Sequence, residues 1–324
     1  MDLKTKYLGL ELKNPIIVAS SKLSGNIEKI AELEKNGAGA VVLKSIFEEQ
    51  ILLDTQRMVD NIDTSMHAEA LDLFSGSTIG HFLDEYVNLI YQSKKEISIP
   101  VIPSINCTTE GTWTEYAKRF EKAGAPALEL NIYIQPYDVK KTSQELEDTY
   151  VNILRKIKKE INIPVALKIG CYFTGLANVV KRFADEGANG LVLFNRYYRT
   201  DIDLEKMKVV TGPIMSSKEE LFIPLQWIAL FAGKVKTDIS ATTGVHSEKD
   251  VIKLLLAGAT TVQLCSVLYQ NGTGFIKDIL DELETWMKKN NYNSIDDFRG
   301  LMSEEKSKDS YKRVQFIKTF TGVE

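Results

Sequence analysis

The stretch Ala125–Pro136, APALELNIYIQP, joins an apolar run of strand character to an abrupt polar and aromatic close. Ahead of it lies TEYAKRFEKA, with apolar residues at helical spacing, and then Gly124, a residue able to end a helix in the left-handed conformation. The same passage from helix through glycine into strand recurs at Asn36–Ala40 (NGAGA), Glu186–Gly190 (EGANG) and Ala257–Thr261 (AGATT).

Working outward from that cue, eight runs rich in Val, Ile and Leu are bounded by Gly, Pro or Asn, as buried parallel strands demand. They are Pro15–Ser20, Ala40–Ser45, Pro100–Asn106, Ala127–Ile132, Pro164–Ile169, Gly190–Asn195, Asp238–Gly244 and Thr261–Val267. Between them IEKIAELEKN, ELEDTYVNILRKIKKE, LANVVKRFADE and SEKDVIKLLLA place apolar residues at i, i+3, i+4 and i+7. The alternation predicts an α/β fold, a (β/α)8 TIM barrel forming one domain over residues 1–324 with a polar tail from about 303, an open doubly wound sheet being the alternative. Two long connections, Ile46–Ile99 and Arg196–Val235, leave the carboxyl ends of strands two and six, where such barrels build active sites. The first is expected to hold a glycine- and serine-rich turn, FSGSTIG (Phe74–Gly80), before a helix near HFLDEYVNLIYQSKK; a further helix is expected at Phe275–Lys289.

Charged residues make up 26% of the chain and balance to a net charge of −4, so no basic surface invites nucleic acid or anionic lipid, and a small-molecule substrate is expected. MDLKTKYLGLELKNP has neither a signal-peptide core nor an amphipathic anchor, and no run of about 18 apolar residues occurs. Cys107, Cys171 and Cys265 are scattered and form no metal-ligand pattern. A cytoplasmic protein without membrane contact or bound metal is expected.

Lysines inside apolar strands are costly to bury. Lys44 (VVLKS) and Lys168 (VALKI) sit near the carboxyl ends of their strands, positioned to bring two ammonium groups to one electron-rich ligand, or else to cap the rim and reach water. Asn106, Asn131 and Asn195 close three strands with amides suited to a heterocycle's edge or to loop backbone. The strand-seven terminus SATTG and the strand-eight terminus Leu264-Cys265-Ser266 offer small residues and backbone N–H groups to an anion.

Together these motifs resemble the dihydroorotate dehydrogenase family, flavoproteins that hold FMN at the top of a (β/α)8 barrel. The resemblance runs from LGLELKNPIIVASS through GAGAVVLKS, ALELN, IPVALKI and AGATTVQLCS to YNSIDDFRG. It implies that Ala19, Ser20, Lys44, Ser45, Asn106, Asn131, Lys168 and Asn195 surround the flavin, with Lys168 near its N1/O2 edge. Thr242, Thr243, Gly244, Cys265 and Ser266 would then cradle the phosphate, with Ser216 and Ser217 replacing a glycine-rich turn. It also implies a homodimer and raises a redox protein as electron acceptor.

The chain departs from the family where strand four ends. The family continues as Asn-Leu-Ser-Cys-Pro-Asn, with the cysteine, or a serine, as base; here the run is Asn131-Ile132-Tyr133-Ile134-Gln135-Pro136. Ile134 takes the base position and cannot accept a proton, and Pro136 replaces an asparagine that meets orotate in the family. Tyr133 and Cys171 are the leading replacement candidates, with Cys107, Tyr137 and His67 behind them, whereas His81 and His246 have no visible partner. Two functions are consistent with this pattern. One is an FMN-dependent oxidoreductase acting on CH–CH groups, on dihydroorotate in pyrimidine synthesis or on another cyclic amide or conjugated alkene. The alternative is a barrel that binds flavin or a phosphorylated ligand without turnover, as a partner or electron-relay subunit.

Overall fold

The computed structural model describes residues 1–51, 53, 68–107, 110–307 and 311, with the backbone alone for 68–80 and 110. Strands and helices alternate as β1 (Ile16–Val18), α1 (Ile27–Lys35), β2 (Ala40–Val42, resuming at Ile46–Phe47), α2 (Ala68–Glu96) and β3 (Val101–Ile102, resuming at Ser104–Asn106). They continue as α3 (Glu110–Ala123), β4 (Leu128–Asn131), α4 (Ser143–Glu160), β5 (Val165–Ile169), α5 (Leu176–Asp185) and β6 (Gly190–Leu193). The series ends with α6 (Phe222–Phe231), β7 (Asp238–Ala241), α7 (Glu248–Ala257), β8 (Thr261–Leu264) and α8 (Phe275–Lys289).

Every strand pairs in parallel with its neighbours, and β8 pairs with β1 through Val262 and Ile16, so the ring closes. β2 and β3 are each interrupted, but they pair on both sides of the break, Val41 with Val101 and Ile46 with Ile105. The eight expected strands therefore form a closed (β/α)8 barrel, not an open sheet.

Side-chain alternation divides the core in two. Leu128, Leu130, Val165, Leu167 and Ile169 pack outward with the helices. Ile17, Ala40, Val42, Ile102, Ala127, Ala166 and Val192 turn inward with Tyr7, Leu8 and Leu12. The last three come from a hairpin, Thr5–Tyr7 with Leu10–Leu12, which plugs the amino end of the barrel. Its turn residues Leu8 and Gly9 have φ of 54° and 76°, the pair of positive values that suits a two-residue hairpin. Leu8 N–H donates to Asp238 Oδ2 at 2.7 Å and fastens the plug to β7. With the amino end filled by apolar residues, polar inward positions collect at the carboxyl end.

Three expectations need correction. FSGSTIG is no turn: the backbone is helical from Ala68 to Glu96, since the internal glycines cost about 1 kcal/mol each and a helix of 29 residues can carry that. The connection after β6 contains an unexpected exposed hairpin, Thr200–Asp203 with Lys208–Thr211. The last strand stops at Leu264, and Val267 belongs to a short helix, Ser266–Asn271. The expected polar tail starts docked, with Met302 N–H donating to Leu256 O and Glu304 N–H to Ala229 O. Residues 308–310 and 312–324 lie outside the described residues. No described helix is long and apolar enough to cross a membrane, and the described residues include no cluster of three or more metal-ligating side chains.

Candidate active site at the carboxyl end of the barrel

β4 and β5 run in register with Asn131 opposite Lys168, so both turn inward at the top of the barrel beside Glu129. Glu129 is 1% exposed and Lys168 6%. The carboxylate accepts from Ser104 Oγ at 3.3 Å and from Gln263 Nε2 at 3.2 Å, and Lys168 Nζ stands 3.9 Å from Oε1. A hydroxyl chain leads away from it: Ser104 Oγ lies 2.8 Å from Ser45 Oγ, which lies 3.0 Å from Ser20 Oγ. Asn131 Nδ2 donates to Ser45 Oγ at 3.4 Å, and Asn195 Nδ2 donates to Asn131 Oδ1. Among the described residues the Lys168 ammonium has that one ion pair and no hydrogen bond, so a buried cation keeps its N–H donors for another acceptor.

The structure thus gathers Ser20, Ser45, Asn131, Lys168 and Asn195 into one network, with Ala19 buried beside it at the end of β1. Asn106 is half-buried at the end of β3. Lys44 does not join Lys168: it is exposed, because β2 breaks after Val42 and Ser45 takes the inward place when pairing resumes.

A second polar corner lies over β7 and β8. Thr243 and Gly244 have φ of 78° and 77°, and a Cβ on Gly244 would stand 2.1 Å from Leu221 N, so only glycine fits. Ser216 N–H donates to Ser266 Oγ at 3.0 Å, and Ser216 Oγ lies 3.0 Å from His246 Nε2. Thr242 is buried and Thr243 Oγ1 donates to Phe194 O at 2.9 Å. Cys265 is half-buried, and burial raises its thiol above the ordinary value although Lys168 acts the other way. Ser217 is exposed and gives its N–H to Glu220 Oε2 at 2.7 Å. Arg196 ties the same loop down, bonding Glu220 at 3.0 Å and the carbonyls of Pro213 and Ile214 at 2.8 Å.

The leading replacement-base candidates, Tyr133 and Cys171, fall in an aromatic corner over β4, β5 and β6. Tyr133, 39% exposed, stacks on Tyr197 with centroids 3.6 Å apart, and Tyr197 Oη donates to Ile132 O at 3.3 Å. Ile134 packs on the core, its N–H donated to Tyr150 Oη at 3.0 Å. A cavity of about 170 Å³ opens here between Tyr133, Ile134, Tyr150, Phe173 and Tyr197. Burial raises both the Tyr133 and Tyr197 phenols above their ordinary value, so each keeps its proton at neutral pH. Cys171 and Cys107 are likewise raised by burial, which makes neither a ready base. Tyr137 is exposed, His81 pairs with Glu85 at 3.3 Å rather than standing alone, and His67 lies outside the described residues.

FMN makes three demands: a cation or donors at the N1/O2 edge, amides at the ring, and donors for a phosphate. Lys168, the Asn131–Asn195 pair and the corner of Ser216, Thr243, Gly244 and Ser266 meet them in kind. Glu129, Ser104, Gln263 and His246 are the participants that sequence reasoning missed. For Glu129 a signal existed: the cost argument applied to lysines in apolar strands holds equally for a carboxylate in ALELN.

A sequence model described as dihydroorotate dehydrogenase matches residues 2–287. The chain belongs to the dihydroorotate dehydrogenase family. A relative from Thermoplasma acidophilum, named dihydroorotate dehydrogenase B (NAD(+)), catalytic subunit, is 27% identical over 93% of this chain and 98% of its own length. Proteins of the same name from Methanocaldococcus jannaschii and Pyrococcus furiosus are 26% and 24% identical over 93% of this chain and 98% and 99% of theirs. At this identity each pocket residue has to be judged on its own chemistry.

Proposed function

We propose that this chain is an FMN-dependent oxidoreductase acting on CH–CH groups whose substrate is other than dihydroorotate, namely another cyclic amide or a conjugated alkene. The observation that carries this reading is the buried Lys168 ammonium with unspent donors, in register with Asn131 of the Asn131–Asn195 pair and close enough to act on Cys265, the neighbour of Ser266. When bound, the flavin supplies hydride transfer, and a cation near its N1/O2 edge favours the reduced form. Asn131 and Asn195 orient the ring, and the barrel plug beneath keeps the amino end closed to water. At Ile134 no proton is accepted, which removes the step dihydroorotate requires. The Tyr133 phenol holds its proton and suits donation to a substrate carbon more than abstraction from one, whereas the Tyr197 hydroxyl is engaged with Ile132 O. That favours saturation of a conjugated double bond. The enzyme is expected to act on a small molecule as a soluble homodimer in the cytoplasm, its flavin reduced by a redox protein or a diffusible donor.

Purified protein is expected to bind FMN with quenching of flavin fluorescence, to show no flavin bleaching on anaerobic mixing with dihydroorotate, and, once photoreduced, to be reoxidised by 2-cyclohexen-1-one. Absence of FMN binding would defeat the proposal, and rapid bleaching by dihydroorotate would return the chain to the reaction its relatives are named for.

A further inference from the structure

Glu129 has no part in the assignments above, yet it occupies the centre of the barrel. A carboxylate at 1% exposure is costly to take out of water, and only close partners offset that cost. It has three, each from a different strand: Ser104 on β3, Gln263 on β8 and Lys168 on β5. The two neutral donors are hydrogen-bonded, at 3.3 and 3.2 Å, while the lysine stands off at 3.9 Å, well beyond the roughly 2.8 Å of a charge-assisted hydrogen bond. The carboxylate is thus held by its neutral partners and offers the lysine a compensating charge without consuming its N–H donors.

We propose that Glu129 is a positioning residue for the flavin site: it anchors the Lys168 ammonium from the barrel interior, balances its charge, and thereby sets how strongly the site prefers reduced over oxidised FMN. The proposal rests on the flavin reading of Lys168. With the carboxylate present, part of the ammonium's field is cancelled before it reaches the ligand. Without it, the full positive charge acts on the acceptor edge and the reduced, anionic form gains.

Glu129→Gln removes the charge and keeps the shape. Gln263 Oε1 is buried without a partner, so turning that amide lets it accept from the new Gln amide and the network closes again. The readout is the ratio of affinities for reduced and oxidised FMN, measured through the midpoint potential by dye equilibration. In E129Q this ratio is expected to rise about tenfold, which is about 30 mV for a two-electron couple. E129D, which keeps the charge but draws it back, is expected to shift the ratio in the same direction by less. In a Lys168→Met background, E129Q is expected to change the ratio by less than threefold. An unchanged ratio in E129Q and E129D with FMN bound would overturn the proposal, as would the same tenfold rise in the K168M background, which would mean that Glu129 acts on the ligand directly. Wild-type protein that binds no FMN would fail the flavin reading itself, and is told apart by the missing flavin spectrum. Should E129Q not fold, E129D carries the test alone, with an unchanged ratio as the overturning result.

Discussion

At the scale of single residues, Lys168 and Gly244 show how little freedom the top of the barrel allows. Replacing Lys168 by Met leaves Glu129 buried with only neutral partners, and breaking a buried pair from one side costs about 3–5 kcal/mol. Urea denaturation of K168M is expected to show a loss of that order, largely recovered in K168M/E129Q because both charges are then gone. Gly244 combines a φ of 77° with a Cβ position 2.1 Å from Leu221 N. Gly244→Ala therefore forces the loop to shift, at a cost of about 1–3 kcal/mol, and is expected to weaken FMN binding at least tenfold in a fluorescence titration. The lysine announced itself in the sequence because a cation in VALKI has few uses. The glycine did so only as part of SATTG, since a clash with a residue 23 positions earlier cannot be read from local pattern.

At the scale of elements, helices are tied to the turns beside them by side chains, and α1 gives a measurable case. Glu34 accepts from Ser98 N–H at 2.8 Å, from Ser98 Oγ and from Ile99 N–H at 3.2 Å, clamping the turn between α2 and β3. Burial alone would raise this carboxyl, but the three hydrogen bonds outweigh it and hold the group below its ordinary value of 4.5. A depressed carboxyl stabilises the fold above the unfolded value and loses that contribution as pH falls through the folded one. The stability gap between wild type and Glu34→Gln is therefore expected to be full near neutral pH and to narrow as pH falls below the ordinary 4.5 and through the lower folded value, read as urea midpoints across a pH series. Helix and strand positions were legible from periodicity and glycine cues, whereas the FSGSTIG segment misled because glycine and serine are only weak helix breakers inside a long helix.

At the scale of the whole molecule, the ring has a filled amino end and a polar carboxyl end. Leu8, 1% exposed at the tip of the plug, fills the space between the inward faces of the strands. Leu8→Ala is expected to cost about 2–5 kcal/mol in urea denaturation, because a closed barrel cannot collapse around the hole. The sequence by itself determined the eight strand–helix units and the chemical character of the rim, since these are properties of composition and spacing along the chain. The loss of a base at Ile134 followed from the family resemblance, and the closure of the units into a barrel from the pairing of β8 with β1. Only the tertiary structure decided which rim residues meet. Gln263 reaches Glu129 across 134 positions, Ser216 finds His246, and Lys44 is left outside while Lys168 is drawn in. The physical reason is that an inward direction depends on strand register and on breaks such as the one after Val42, and a contact across the barrel exists only once β8 has closed on β1.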